Sequence, residues 1–513
     1  MEEVLMMRIF FSLALVGLLS FFAHLCNVLL LEPERLRSRL RRQGIRGPPP
    51  SILLGNIPQI KLMLSTVPKD PAKEHMGHDC SSTLFPYFKQ WTKQYGQLFM
   101  FSLGKLQLLY VTDPNVVKAI KVNASLDLGK PAYLQKDRGA LLGKGIITTN
   151  GAMWIHQRKT IAPELYMDKV KGMLNLMLES GSTLVKSWES RIENEGGLSD
   201  IRVDEDVRRY TSYIISKTLF GSSYSEKVEI FPKFSALIEA LRSPTLLNGV
   251  PGMRYLPTKK NREIWRMERD IQSIIINIAK ERTGAESEKD MLQMIIEGAN
   301  KGDLDPAMAD QFVVDNCKNI HVAACEVTAI VAIWGLMLLA SHPEWQARAR
   351  AEVLEICVGC LPDANMLGKM KVLNMVIQEV LRLYPGVGFV SRETLQDMKL
   401  GDVCVPKGVA IWIWLIALHR DPEIWGPDAH DFNPERFANG ISGACKFPQG
   451  YIPFGLGSRI CPGQSLAIAE LKVLFALILS KFSFSLSPKY RHSPVFGLLL
   501  EPEYGVDLLV RMI

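Results

Sequence analysis

From Ile9 to Leu31 the chain carries no formal charge, and apart from His24, Asn27 and two serines the run is apolar. At about 1.5 Å per residue such a helix crosses the roughly 30 Å hydrocarbon core of a bilayer. The run is longer than the apolar core of a signal peptide, and no small-residue cleavage site precedes the charges that follow. The expectation is a single transmembrane anchor over residues 9–31.

Arg35, Arg37, Arg39, Arg41, Arg42 and Arg46 follow the run, opposed by Glu32 and Glu34, whereas Glu2, Glu3 and Arg8 precede it. The positive-inside bias places the rest of the chain in the cytosol. This cluster supplies much of the net charge of +7, which points to an anionic membrane surface and away from nucleic acid. The nine cysteines of a cytosol-facing chain are expected to be reduced.

Residues 32–56 read as a basic, proline-rich hinge, because Pro48, Pro49 and Pro50 favour an extended connector. Residues 57–513 read as one large catalytic domain. With 47% hydrophobic and 22% charged residues it can bury a substantial core. Helical periodicity dominates around Met167–Glu193, Lys259–Arg282, Ala307–Ala340 and Met366–Leu383. Shorter β-rich pieces lie near residues 105 and 413, and there is no regular βαβ alternation. The fold class expected is mainly α with small β-sheets. Ser243–Trp265 reads as a loop, with an alternative role as a lipid-dipping entrance for apolar substrates. Cys357-Val-Gly-Cys360 and the group His75, His78 and Cys80 lack the partners that zinc or redox chemistry needs.

The segment "PFGLGSRICPG" (Pro453 to Gly463) carries the chemistry. Ile460 stands where a dinucleotide-binding loop needs its third glycine, so that reading fails. One cysteine, Cys461, remains, framed by Gly457, Arg459, Pro462 and Gly463 and followed by a helical pattern from Gln464. Glycines let the backbone approach a flat ligand, and a helix N-terminus favours a thiolate. These features suit a thiolate ligand to haem iron.

Phe454, Gly457, Arg459, Cys461 and Gly463 resemble the haem-binding signature of the cytochrome P450 superfamily. Glu379 and Arg382 in "IQEVLRLYP", with Arg436 in "FNPERF", resemble that family's structural Glu-Arg-Arg triad. Trp154 and Arg158 in "WIHQR" match its propionate-contacting pair, and Arg392 is a further candidate. "YLPTKKNREIWRME", "LHRDPEIWG" and the C-terminal stretch resemble the plant group that contains gibberellin oxidases and terpenoid hydroxylases.

Within the apolar run Ile320–Ala340, Glu326 and His321 are too costly for lipid, so a buried central helix is expected. Ala323, Ala324, Cys325, Glu326, Val327 and Thr328 align with the family's distal pattern of small residue, glycine, any residue, acid and two threonines. Ala324 replaces the glycine, and Val327 replaces an alcohol that the family uses in proton delivery. Thr328 lies about 100° further round the helix, where its hydroxyl is expected to bond the Ala324 carbonyl. Glu326 and Thr328 are the candidate catalytic residues.

The resemblance implies a cytochrome P450 fold behind one membrane helix, with iron protoporphyrin IX (haem b) ligated by Cys461. It also implies an apolar small-molecule substrate, an NADPH-cytochrome reductase as electron donor, and residence on the cytosolic face of the endoplasmic reticulum. Three activities follow from the altered motif: a monooxygenase whose proton path runs through Glu326; an isomerase or dehydratase that needs no external oxygen; or a weakly catalytic haem-containing binding protein. The monooxygenase is favoured.

Overall fold

The computed structural model describes residues 2–66, 78–221, 230–242, 255–282, 290–301 and 305–513. Helix α1 (Glu2–Cys26) passes through a short π-helical stretch, Asn27–Leu31, into α2 (Glu32–Arg41). The side chains of α1 are largely bare, Phe10, Phe11, Leu13 and Leu18 among them, as suits a surface meant for lipid rather than water. The arginine-rich segment is helical, and it is docked on the domain. Leu40 is buried, Arg39 pairs with Asp397 at 2.6 Å, and Gln43 Nε2 donates to the Cys404 carbonyl. The proline run that follows lies along the first sheet, where Met100 N–H donates to the Arg46 carbonyl. A Cβ at Gly47 would overlap the Met100 carbonyl, so this close approach requires glycine.

The largest sheet has five strands, β1 (Leu98–Leu103), β2 (Leu106–Val111), β3 (Leu128–Gly129), β4 (Phe389–Thr394) and β5 (Ala410–Trp414), in the order β1-β2-β5-β4-β3. β1 and β2 form a hairpin, β2 runs parallel to β5 with Leu108 opposite Ala410, and β4 is antiparallel to β5. The β-rich reading of the segment near 413 holds as far as Trp414. Leu415 and Ile416 then turn their N–H groups to the Gly388 carbonyl, and a helical turn begins.

The helices that build the site are α3 (Gly151–Ile161), α4 (Asp204–Phe220), α5 (Lys259–Arg282), α6 (Pro306–Ser341), α7 (Lys371–Leu383) and α8 (Gln464–Lys481). The pattern over Met167–Glu193 is divided at Met173 and that over Met366–Leu383 at Met370. The second break has a visible cause: the Glu352 carboxylate accepts the N–H groups of Lys371, Val372 and Leu373 and starts α7 there. Most of Ser243–Trp265 lies outside the described residues, so neither reading of that loop is addressed; its last residues open α5. His75 is likewise outside them.

α6, about 54 Å long, is the central strut. Asp305 caps it through the Met308 N–H, and Pro306 occupies its first turn. It is apolar enough to span a membrane but is mostly buried within the domain. The polar residues accommodate this differently: Glu326 has an ion-pair partner, while His321 stacks on Phe234 at 4.3 Å, burial pushing its pKa down to about 4 so that the ring is neutral.

Beneath α6, Glu379 and Arg382 form a bidentate pair, both contacts at 2.7 Å, at 0% exposure. Arg382 also donates to the carbonyls of His419, Ala429 and Asp431. Arg436 Nε lies 3.5 Å from Glu379 and its Nη2 2.6 Å from Asp428. Replacing Arg382 with Met strands a buried carboxylate. The expected loss is about 3–5 kcal/mol of unfolding free energy, measured by urea denaturation of the detergent-solubilised full chain. Arg39→Ala, which breaks an exposed pair, should leave the midpoint unchanged.

Candidate active site

From Phe312 to Ala340, α6 is buried at every position except Ala323, Ala324 and Val327. At about 100° per residue these three fall on one arc of about 100°, so the helix leaves a single window uncovered. Glu326 and Thr328 flank that arc on opposite sides. The window is floored by small side chains, and the Val327 side chain packs so closely on Gly386 that a Cβ there would collide with it. From Gly386 the chain runs into β4, and Arg392 on β4 donates to the Leu456 carbonyl of the cysteine loop at 3.2 Å. One extended segment thus connects the helix window to that loop.

The loop is shaped by two left-handed glycines, Gly455 (φ +78°) and Gly457 (φ +68°). At Gly457 a side chain would also press on the carbonyls of Ile120 and Lys121. Cys461 N–H donates to the Phe454 carbonyl at 2.8 Å, and Arg158 Nη1 donates to the Ile460 carbonyl at 2.7 Å. Gly463 ends the loop as the N-cap of α8. Cys461 is an exposed residue, unlike the buried Cys317 and Cys325. Surrounding protein pushes its pKa up, while the Gly463 N–H and the charge of Arg158 act in the opposite sense.

Trp154 and Arg158 stand one turn apart on α3 and both meet this loop. Arg459 stacks over the Trp154 ring at 4.2 Å and donates to the Thr149 carbonyl and to Asn150 Oδ1. Asn150 Oδ1 also accepts the Lys130 N–H at 2.7 Å, which brings Lys130 beside Arg459 and Arg392. Among the described residues, none of Lys130, Arg158, Arg392 and Arg459 forms an ion pair with a carboxylate. Burial, and then their mutual repulsion, lowers Arg392 to about 9, Arg459 to about 10 and Lys130 well below its usual value. Because guanidinium groups stay charged, Arg392 and Arg459, buried without a carboxylate partner among the described residues, leave positive charge for an anion to meet. An exposed cysteine beside a cluster of uncompensated cations fits haem, which brings an iron for the sulfur and two propionates for the cations.

Glu326 is 5% exposed, with Arg208 Nε of α4 at 3.3 Å from its Oε2. Arg208 also faces Asp204 at 3.9 Å and Glu501 at 3.6 Å. Burial opposes the charge on Arg208, but Glu326, Asp204 and Glu501 outweigh it and hold the guanidinium above its usual pKa. Thr328 is buried, and its hydroxyl makes no hydrogen bond among the described residues. The expected bond to the Ala324 carbonyl is therefore absent, a correction to the sequence reading. The sequence also did not single out Lys130, Asn150 or Arg208, since one lysine in "LGKP" and one arginine of "DVRRY" carry no local mark of what they face.

A family model described as Cytochrome P450 matches residues 74–510. The chain is 51% identical over 498 residues to cytochrome P450 714C2 of Oryza sativa subsp. japonica, covering 96% of this chain and 95% of that protein. It is 44% identical over 510 residues to cytochrome P450 714A2 of Arabidopsis thaliana, covering 97% of both. Against cytochrome P450 714B3 of Zea mays the identity is 43% over 511 residues, covering 98% of this chain and 95% of that protein.

If Lys130 contributes to holding a dianionic cofactor, Lys130→Met should weaken haem binding by the worth of one charge-assisted hydrogen bond. That is about 1.5–3 kcal/mol, or roughly tenfold to a hundredfold, in an absorbance titration with haemin. Lys121→Met, a nearby exposed lysine, should bind haemin as the wild type does.

Proposed function

The chain belongs to the cytochrome P450 family, as a plant haem-thiolate monooxygenase, and from that premise we propose that its substrate is a terpenoid, with gibberellins the first class to test. The reaction is hydroxylation or epoxidation, driven by electrons from an NADPH-cytochrome reductase. The chain sits on the cytosolic face of the endoplasmic reticulum, with α1 as its single-pass anchor. The subfamily resemblance in the "YLPTKKNREIWRME", "LHRDPEIWG" and C-terminal stretches supports the substrate class.

Bound haem supplies the activation of dioxygen and the transfer of one oxygen atom to the substrate. In this reading Cys461 is the iron ligand, favoured as the thiolate by the α8 N-terminus and held in place by the bond from its N–H to the Phe454 carbonyl. Trp154, Arg158, Arg392, Arg459 and Lys130 hold the propionates. The observation that carries the assignment is the cluster of cations that have no carboxylate partner among the described residues, beside the exposed Cys461.

Glu326 serves as the proton-holding group next to the helix window. Its carboxylate is secured by Arg208, which three acids share, so the guanidinium can keep partners while Glu326 turns toward the window. Ala324 and Val327 place no hydroxyl on the window. Ordered water, or a hydroxyl or carboxylate of the substrate, must therefore complete the path from Glu326.

With reductase present, product formation from a panel of gibberellins and triterpenoids should require both NADPH and oxygen. Product formed without reductase would instead indicate an isomerase. Glu326→Gln should lower turnover by about a hundredfold at full haem content. Val327→Thr restores a hydroxyl on the window and should reduce peroxide released per NADPH consumed. A wild type that is already tightly coupled, and unchanged by this substitution, would refute the role given to Val327.

A further inference from the structure

Seven residues beyond Val327, on the same face of α6, lies Trp334, fully buried and about 10 Å further along the axis. Its indole is fixed to the segment that floors the window: Trp334 Nε1 donates to the Leu500 carbonyl at 2.9 Å, and Leu500 N–H donates to the Gly386 carbonyl. The ring stacks on Tyr384 with centroids 4.1 Å apart and planes 15° apart. Tyr384 in turn belongs to a chain of hydrogen bonds. Its hydroxyl lies 2.8 Å from His78 Nδ1 and 3.3 Å from His492 Nε2, and His492 Nδ1 lies 2.8 Å from the Tyr490 hydroxyl.

The chain closes in either direction, as the imidazole tautomers decide, and one direction hands the Tyr384 proton to His78. In that direction Tyr490 O–H donates to His492 Nδ1, His492 Nε2–H donates to Tyr384, and Tyr384 O–H donates to His78 Nδ1. Burial keeps both rings neutral, His78 down to about 3 and His492 to about 4, so each imidazole has a lone pair to offer. Trp334 and Tyr384 are sealed in the core, whereas Tyr490 and His492 are only half-buried. Packing needs large rings here, but it does not need a phenol hydrogen-bonded to imidazoles on both sides. A π-stacked indole and a phenol with a proton acceptor are what one-electron oxidation of tyrosine requires.

We propose that Trp334, Tyr384 and Tyr490 form an escape route for oxidising equivalents, draining them from the haem pocket to the surface when turnover uncouples from substrate oxidation. The route rests on the monooxygenase activity and not on the roles given to Glu326 or Val327. Tyr384 loses one electron, through Trp334, to a one-electron oxidant generated at the haem, and its phenol proton crosses to His78 Nδ1. The oxidised phenol is a far stronger acid than either imidazolium, so the transfer runs downhill. Tyr490 next supplies an electron to Tyr384, which takes its proton back from His78, while the Tyr490 proton is held on His492 Nδ1. A small thiol finally reduces Tyr490, giving up one electron, and His492 returns the proton.

The test is rapid freeze-quench electron paramagnetic resonance of the haem-loaded full chain mixed with a peracid. The wild type should give a tyrosyl radical, and Tyr384→Phe should lose it at unchanged haem content and melting temperature. Tyr490→Phe should keep the radical but lengthen its lifetime in the presence of thiol. A radical of wild-type yield and line shape in Tyr384→Phe would overturn the proposal, as would an unaltered lifetime in Tyr490→Phe. Should Tyr384→Phe fail to fold, mapping of spin-trap adducts on the wild type decides. Adducts on Tyr384 or Tyr490 support the route, and adducts confined to other residues exclude it.

Discussion

The pairing of Glu379 with Arg382, wholly removed from water, is the contact on which the site's geometry depends. A buried pair of this kind survives only when every remaining donor is satisfied. Here the carbonyls of His419, Ala429 and Asp431 complete the guanidinium. The same bonds fasten the irregular stretch after β5 to α7. From there the order is passed on: His419 Nε2 accepts the Ile452 N–H, and the Tyr451 hydroxyl donates to the Gln378 carbonyl. Two residues later the cysteine loop begins. The position of Cys461 is thus inherited from an ion pair that takes no part in chemistry.

Around the helix window and the cysteine loop the charges are segregated. On the cysteine side, Lys130, Arg158, Arg392 and Arg459 have no acidic partner among the described residues. On the far side of α6, one guanidinium, Arg208, serves Glu326, Asp204 and Glu501. The first arrangement is poised for an anionic cofactor, and in the second three carboxylates share one cation beside an apolar window. The unpaired cations on the cysteine side are costly to bury, and a bound anionic cofactor offsets that cost.

Much of this was legible in the sequence because it rests on local pattern. The apolar length of α6, the glycines of the cysteine loop and the spacing of Glu379 and Arg382 on one helical face each encode their own geometry. Trp154 and Arg158 were found through their resemblance to the family's propionate-contacting pair, and their spacing of one helical turn agrees with it. What escaped was set by tertiary neighbours. Arg208 differs from Arg209 only in which way α4 turns it, and Arg209 pairs with Glu205 on the surface. Lys130 gains meaning only when Asn150, twenty residues on, brings it to Arg459. The break at Met370 depended on Glu352 from another helix, and Thr328 lost its expected bond to Ala324 for no reason visible in the chain.

The central claim is that Cys461, in this loop, is the sulfur that meets iron. The optical spectrum of the ferrous carbon monoxide complex, recorded for the wild type and for Cys461→His, tests it most directly. The account predicts the red-shifted Soret band of thiolate ligation in the wild type. In Cys461→His that band should be lost while haem content is retained, because the cation cluster still holds the propionates. A Cys461→His protein that binds haem and keeps the red-shifted band would contradict the account.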